Sequence, residues 1–265
     1  MLSVGRIGLT SMSLAQTQAS TQRSFARIAS GRRINSAADD AANLATVQQF
    51  LAIEASVGQG ISNLADGAGL ARTAEGALGS SADLLGRMRE LSIQARNGTL
   101  NDQDRAAIQQ EYDQLSAEVT RVAESTSFNG IKPLSGELAG AGIQLEDGTG
   151  SGAIEVSIEG QTAADLGIAG LNAAAAGTVQ ALDDAIHRVS AGRGKLGSVD
   201  NRIDVATRNL ASIRENVAAA RSRVGDADVG AEISNLIRNR TIDRLSLGAH
   251  LAERRGAGAV LDLFG

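Results

Sequence analysis

The chain has no cysteine and no tryptophan among its 265 residues. Without thiols there is no disulfide framework, no thiolate metal site and no cysteine nucleophile. Aromatic residues are scarce, with four Phe and one Tyr making up 2% of the chain. Enzyme cores and ligand pockets usually draw on such rings, so the composition argues against an enzyme. A single proline, Pro133, leaves long helices unbroken. No run of about 18 apolar residues is present to span a bilayer, so no membrane insertion is expected. Met1–Arg6 lacks the apolar stretch of a secretory peptide, so any export would proceed without a cleaved signal. His187 and His250 lie far apart and no H-E-x-x-H occurs, so neither a metal site nor any other cofactor is expected.

Apolar residues make up 43% of the chain and charged residues 21%, enough for a sizeable core and too few charges for a disordered polyelectrolyte. The length suggests roughly one or two domains at about 150 residues each. Twenty-five basic against 30 acidic residues leave a net charge of −5. A mildly acidic chain is poorly suited to neutralising phosphates, so nucleic acid is not expected as a partner.

Helical periodicity dominates. Val179, Leu182, Ile186, Val189, Leu196, Val199, Ile203, Leu210, Ile213, Val217 and Val224 fall on an alternating spacing of three and four, with Gly192, Ala206 and Ala220 in the slots between. Such a seam predicts a coiled-coil helix. Upstream, 44–95 reads as one helix, with stripe positions Val57, Ile61, Leu64, Ala68 and Ala71, then Leu84, Met88, Leu91 and Ala95. Asn97-Gly98 reads as its left-handed stop. Asn101 reads as an N-cap with Asp104 three residues on, opening a third helix with a stripe at Ile108, Tyr112, Leu115, Val119 and Val122. Glycines at 58, 60, 67, 69, 76, 79 and 86 weaken the second helix and call for packing partners that approach closely.

Residues 136–174 differ in kind, being acidic, glycine-rich and free of aromatics. Ile143 and Leu145 alternate, as do Ile154, Val156 and Ile158, with Glu146–Gly150 between them. This pattern predicts a β-hairpin with a flexible tip, exposed as a solvent-facing decoration. The fold class expected is therefore mainly α: a long antiparallel helical coiled-coil rod with a small β-hairpin region and paired N- and C-terminal helices. The divisions expected are 1–43, 44–135, 136–174, 175–224 and 225–265. The two ends carry apolar stripes at Leu9, Leu14, Phe25 and Ile28, and at Ile233, Leu236, Ile237, Leu245, Leu251, Val260, Leu261, Leu263 and Phe264. Isolated helices are marginal in water, so these ends read as association segments that become ordered against other copies.

Two motifs invite chemistry and are better explained otherwise. Gly192-Arg193-Gly194-Lys195-Leu196-Gly197 matches G-x-G-x-x-G, but it lies inside the heptad run rather than after a strand, and reads as a tight helix crossing. Asp39 and Asp40 point about 100° apart on a helix and read as acids at a helix N-terminus rather than as an acid–base pair.

Several ordered motifs carry a family resemblance. Ala29-Ser30-Gly31-Arg32-Arg33-Ile34-Asn35-Ser36-Ala37-Ala38-Asp39-Asp40-Ala41-Ala42, Thr73-Ala74-Glu75-Gly76-Ala77-Leu78, Arg87-Met88-Arg89-Glu90-Leu91 with Gln94, and Thr126-Ser127-Phe128-Asn129-Gly130 resemble the N-terminal signature of bacterial flagellin. Glu215-Asn216-Val217-Ala218-Ala219-Ala220-Arg221-Ser222-Arg223-Val224 and Asp226-Ala227-Asp228 resemble its C-terminal signature. Arg32, Asn43 and Gly225 stand where a Leu, a Gly and a larger or charged residue are more typical. Ala252–Gly258, which includes Arg254 and Arg255, replaces the usual Asn/Gln-rich stretch. Hook-junction relatives carry prolines where Ala38 and Ala41 stand, so flagellin proper is the better match.

The resemblance implies a structural subunit, short of the outer variable domains, that leaves the cell by the flagellar type III route and polymerises with its own copies into the extracellular filament. It implies an export chaperone and filament cap and junction proteins as partners. It also implies that Arg87, Arg89, Glu90, Leu91, Gln94 and Glu111 form a subunit-packing face, the face read by the host flagellin-sensing Toll-like receptor. A minor flagellin, a hook–filament junction-type protein and a soluble coiled-coil binding module are the alternatives.

Overall fold

The structure is a computed structural model and describes residues 2–136, 141–146 and 151–262. In chain order the elements are α1 (Leu2–Ser30), α2 (Ala41–Ala95), α3 (Asp102–Ser125), β1 (Ala141–Glu146), β2 (Ser151–Val156), α4 (Thr178–Gly225) and α5 (Val229–Asp262). The fold is mainly α with one two-stranded antiparallel sheet, in agreement with the periodicities. The chain divides into two compact units, one of residues 53–215 and one of residues 1–52 with 216–265.

The central unit, 53–215, holds an extensive apolar core. On α2, Val57, Leu64, Ala71, Leu78 and Leu85 recur every seven residues, and Ala74, Ser81, Met88 and Ala95 form the adjoining row; all are buried. α3 adds Ile108, Tyr112, Val119 and Ala123, and α4 adds Leu182, Val189, Leu196, Val199, Ile203 and Leu210. Most of these lie on the seams read from spacing, but Leu78 and Leu85 on α2 and Ala123 on α3 are buried where no stripe position was expected, while Ile61, Leu84, Leu115 and Val122 are only half-buried. Gly192 is buried within α4, where an added Cβ would stand 3.4 Å from Leu78 Cδ1 on α2, so the glycine motif is a helix contact. The capping box at the start of α3 is present: Asn101 Oδ1 accepts from the Asp104 N–H at 2.8 Å.

Two glycines of α2 have a specific use. A Cβ on Gly67 would overlap Ile143 Cδ1, and one on Gly69 would fall 2.9 Å from Phe128 Cε2. The close approach expected at these glycines is therefore made by the hairpin and by the loop after α3, which seat a side chain on bare helix backbone.

Two expectations need correction. The middle segment is not a solvent-facing decoration. β1 and β2 pair as the expected hairpin, with Ile143 opposite Ile154, but Ile154, Val156, Ile158, Ala163, Leu166, Ile168 and Ala173 are all buried. The hairpin tip, 147–150, lies outside the described residues. The chain after β2 is held on α3 by side chains that satisfy its backbone, because a buried irregular segment has no ladder of its own. Gln109 Oε1 accepts from the Ala173 N–H at 2.8 Å while its Nε2 donates to the Leu171 carbonyl at 3.1 Å, and Thr120 Oγ1 accepts from the Ala163 N–H at 3.3 Å.

The second correction concerns the end of α2. Neither Asn97 nor Gly98 has a positive φ. The helix ends instead in a tight turn, with the Asn97 N–H donating to the Gln94 carbonyl at 2.9 Å and the Thr99 N–H to Asn97 Oδ1 at 3.2 Å.

The two ends pair with each other, as expected, as continuous helices of 29 and 34 residues within one chain. In this terminal unit α1 stops at Gly31, whose φ of 68° is the left-handed value a glycine accepts freely. A short bridge then joins residues 31–33 to 225–227: Arg33 N–H donates to the Gly225 carbonyl at 2.7 Å, and Ala227 N–H to the Gly31 carbonyl at 2.9 Å.

Candidate functional site

Four of the six predicted face residues are accounted for by ion pairs. Arg87 on α2 donates through Nε and Nη2 to Glu111 Oε1 on α3, at 3.1 and 2.9 Å, and through Nη1 to Glu90 Oε2 at 3.1 Å. Glu111 first and Glu90 second raise the already high pKa of the guanidinium. All three side chains are exposed, so the triad is screened by water and contributes little to folding.

Arg89 belongs elsewhere. Its position two residues from Arg87 turns it about 200° around the helix, where its Nε donates to Asp183 Oδ1 on α4 at 2.6 Å. Leu91 is 2% exposed and packs in the core, so it cannot present a contact to another molecule. Gln94 is exposed beside the triad. The six residues therefore split into an exposed cluster (Arg87, Glu90, Gln94, Glu111), an α2–α4 tie (Arg89) and a core side chain (Leu91). Asp183 was missed because its partner lies in a helix 94 residues away.

The terminal unit has an opposite character. Among its described apolar side chains only Ile34 is buried. Met12, Phe25, Val229, Ile233, Ile237, Ile242, Leu245, Leu247 and Leu251 are all exposed, with Met12 at 72% and Leu245 at 68%. Of the predicted assembly residues, Leu14, Ile28 and Leu236 are half-buried between the paired helices, while Phe25, Ile233, Ile237, Leu245 and Leu251 face outward. Leu9, Val260 and Leu261 lie on α1 and α5, and Leu263 and Phe264 lie outside the described residues.

On α5 the outward residues are ordered. Val229, Ile233, Ile237, Arg240, Arg244, Leu247 and Leu251 succeed one another at intervals of three or four, which draws a single stripe along the helix. A polar contact on the adjoining side of α5, about 60–100° round the helix from Val229 and Ile233, ties it to α1. Glu232, 9% exposed, accepts from Arg27 Nη1 at 3.0 Å, and Arg27 Nη2 lies 4.0 Å from Asp39 Oδ1.

Asp39 and Asp40 organise the turn into α2. Asp39 Oδ2 accepts from the Ser36 hydroxyl, the Asn35 N–H and the Ser36 N–H at 3.0, 3.1 and 3.0 Å, and these bonds hold its carboxyl below the usual range. Asp40 accepts from the Asn43 N–H at 3.0 Å, which with the Asn43 side-chain amide lowers its pKa too. It thereby caps the first turn of α2, a sharper role than a general complement to the helix dipole.

A concavity of about 740 Å³ in the central unit, bounded by Leu70, Phe128, Ile131 and Ile143, offers one carboxylate, Asp66, and no base or nucleophile beside it. No group of three metal-ligating side chains occurs among the described residues, and none of the described helices is long and apolar enough to cross a membrane.

Comparison with known proteins decides the family. Residues 9–139 match the bacterial flagellin N-terminal helical region, and residues 179–252 match the C-terminal helical region. A flagellin from Halalkalibacterium halodurans is 34% identical over 252 residues, covering 91% of each chain. The chain belongs to the bacterial flagellin family. A flagellar filament 30.7 kDa core protein from Treponema maltophilum is 32% identical over 260 residues, again with 91% of each chain covered. Flagellin from Bacillus subtilis is 30% identical over 274 residues, with 88% of this chain and 89% of that one covered. A solved structure described as a flagellar hook-associated protein from Vibrio parahaemolyticus shares the fold, with a TM-score of 0.57 at 16% identity over 71% of this chain and 100% of that one. Flagellins are structural proteins. The two family matches cover α1 to α3 and α4 with most of α5, and the stretch between them holds the hairpin and the segment laid on α3.

Proposed function

We propose that this flagellin chain is a structural subunit that polymerises with its own copies into the bacterial flagellar filament and so serves motility. The observation that carries this reading is the set of outward apolar side chains of α5, Val229, Ile233, Ile237, Leu247 and Leu251 on a stripe that also holds Arg240 and Arg244, together with Met12 and Phe25 on α1, in a unit where Ile34 alone of the described apolar side chains is buried. Removing apolar surface from water contributes about 25 cal/mol per Å². Each of these side chains therefore stands to contribute roughly 1.5–3 kcal/mol if a neighbour covers it fully. A contact surface that differs on the two partners repeats without closing and generates a helical array.

On this reading the exposed triad of Arg87, Glu90 and Glu111, with Gln94, lies at a packing face between central units, and the same face is open to a host flagellin-sensing receptor before assembly. Arg89 and Leu91 act from within, holding α2 in place. The subunit passes through the flagellar export route in a partly unfolded state, escorted by an export chaperone. Cap and junction proteins receive it outside the cell.

Deleting residues 226–265 tests the assembly step. The truncated chain is expected to keep the helical circular dichroism of its central unit while electron microscopy shows no filaments at any concentration. Filaments growing from the truncated chain would refute the proposal. Discrete oligomers from the intact chain would favour a soluble coiled-coil module instead.

A further inference from the structure

Two Asn-Gly pairs occur in the chain, Asn97-Gly98 and Asn129-Gly130, and the structure places them in very different turns. We propose that Asn97 is a site of spontaneous covalent modification by deamidation, and that Asn129 is protected from it.

The reaction needs only the chain and water. The Gly98 amide nitrogen attacks Cγ of Asn97 and loses its proton, the bond from Cγ to the side-chain nitrogen breaks, and ammonia leaves. The resulting five-membered succinimide is then opened by water at one of its two carbonyls, to give either an ordinary aspartyl residue or an isoaspartyl link at that position. Either product places a new carboxylate between α2 and α3, and the isoaspartyl link also adds one carbon to the main chain there.

At Asn97 the geometry favours attack. Asn97, Gly98 and Thr99 are exposed, and the Gly98 N–H donates no hydrogen bond among the described residues. The Thr99 N–H donates to Asn97 Oδ1 at 3.2 Å, which draws electron density from Cγ and orients the side-chain carbonyl back along the main chain. The turn is closed on one side only, by the Leu100 N–H to the Asn97 carbonyl at 3.3 Å with Arg105 Nη2 on the same oxygen at 3.4 Å. Gly98 has open space about it in no left-handed conformation, so the main chain is held less tightly than at Asn129.

At Asn129 the main chain is locked. Asn129 and Gly130 both have positive φ, 51° and 81°, which makes them the central residues of a tight two-residue turn. That turn is closed on both sides, by Phe128 N–H to the Ile131 carbonyl at 2.9 Å and Ile131 N–H to the Phe128 carbonyl at 3.0 Å. Phe128 is in turn seated on Gly69 of α2, so rotating Asn129 toward ring closure would unseat a packed side chain. No hydrogen bond reaches the Asn129 side chain to activate it among the described residues.

The test is peptide mapping by mass spectrometry of the full-length chain held in warm, mildly alkaline buffer, with isoaspartate labelled by its repair methyltransferase. In the folded protein Asn97 is expected to convert roughly tenfold faster than Asn129, the effect of a barrier difference of about 1.4 kcal/mol. In concentrated urea the two rates are expected to converge, because both sites are then unrestrained Asn-Gly pairs. Gly98→Ala, which the local conformation accepts, is expected to suppress conversion at Asn97 while leaving circular dichroism unchanged. An unmodified Asn97, equal rates at both sites in the folded chain, or undiminished conversion in the Gly98→Ala variant would each overturn the proposal.

Discussion

Tyr112 offers an internal test of the central core, because it is the single tyrosine of a chain without tryptophan. Its side chain is fully buried on α3, and its hydroxyl donates to the Ile168 carbonyl at 3.4 Å, a long bond that stabilises little. Burial first, and the neighbouring Asp113 carboxylate second, push its pKa from 10.0 up to about 12. The unfolded chain thus releases the phenolic proton near pH 10 while the folded chain holds it to about pH 12. The tyrosine contribution to stability is therefore intact below pH 10 and is lost progressively as the pH rises toward 12. Two units at about 1.4 kcal/mol each set an upper bound of about 2.7 kcal/mol on that loss. Tyrosinate absorbance and helical circular dichroism recorded together should rise and fall in one transition above pH 10. Tyr112→Phe, at a cost of about 1 kcal/mol near neutrality, should flatten the dependence. Ionisation near pH 10 with the helices intact, or an equal alkaline loss in the phenylalanine variant, would refute the burial argument.

Three further outcomes follow from particular contacts. Gly76→Ala, where an added Cβ meets nothing within 4 Å, should raise the melting temperature by the equivalent of about 0.5–1 kcal/mol, whereas Gly67→Val should lose about 1–3 kcal/mol by displacing Ile143; paired thermal melts check the contrast. Ser92 is fully buried in α2 with no partner for its hydroxyl among the described residues, so Ser92→Ala should stabilise the central unit by about 1 kcal/mol in urea titration. The carboxyls of Asp39 and Asp40 both lie below their ordinary 3.8, so the stability they contribute is complete above that pH and is lost as the pH falls through their folded values; hydrogen-exchange protection factors across 35–44, taken relative to the intrinsic rate at each pH, should fall on acidification, and Asp39→Asn should blunt that response.

Periodicity made the seams of α2, α3 and α4 legible, because burial along a helix repeats with the chain itself. Val57, Leu64, Tyr112 and Leu196 are found where spacing alone puts them. The segment after β2 has no such repeat. Ala163, Leu166, Ile168 and Ala173 are buried because Gln109 and Thr120 on α3 satisfy its backbone, and those contacts connect residues more than 40 positions apart. The six-residue face split for a different reason. Neighbours in sequence diverge by about 100° on a helix, so Arg89 turns away from Arg87 to meet Asp183, and Leu91, about 40° round from Arg87, is buried in the core. The end of α2 was misread because Asn-Gly has two uses, and the left-handed one is taken at Asn129-Gly130 rather than at Asn97-Gly98.

The difference between the two units has a mechanical consequence. The central unit buries most of its apolar side chains internally, down to Ile143 and Phe128 set against glycine backbone, and leaves Ile93, Ile131 and Val205 in water, so neighbours have less to add to its stability. The terminal unit is held chiefly by polar ties: Arg27 to Glu232, the bridge from 31–33 to 225–227, and the carboxylates of Asp39 and Asp40 in the turn. Such ties fix the geometry of α1 against α5 without covering Phe25, Ile237 or Leu245, because exposed polar bonds contribute little net energy while the apolar side chains stay in water. A subunit of this kind presents a set binding surface and leaves its largest favourable term, apolar burial, to the encounter with another copy. Variants that weaken the polar ties should therefore impair assembly before they impair the fold of the central unit, whereas variants such as Gly67→Val should do the reverse.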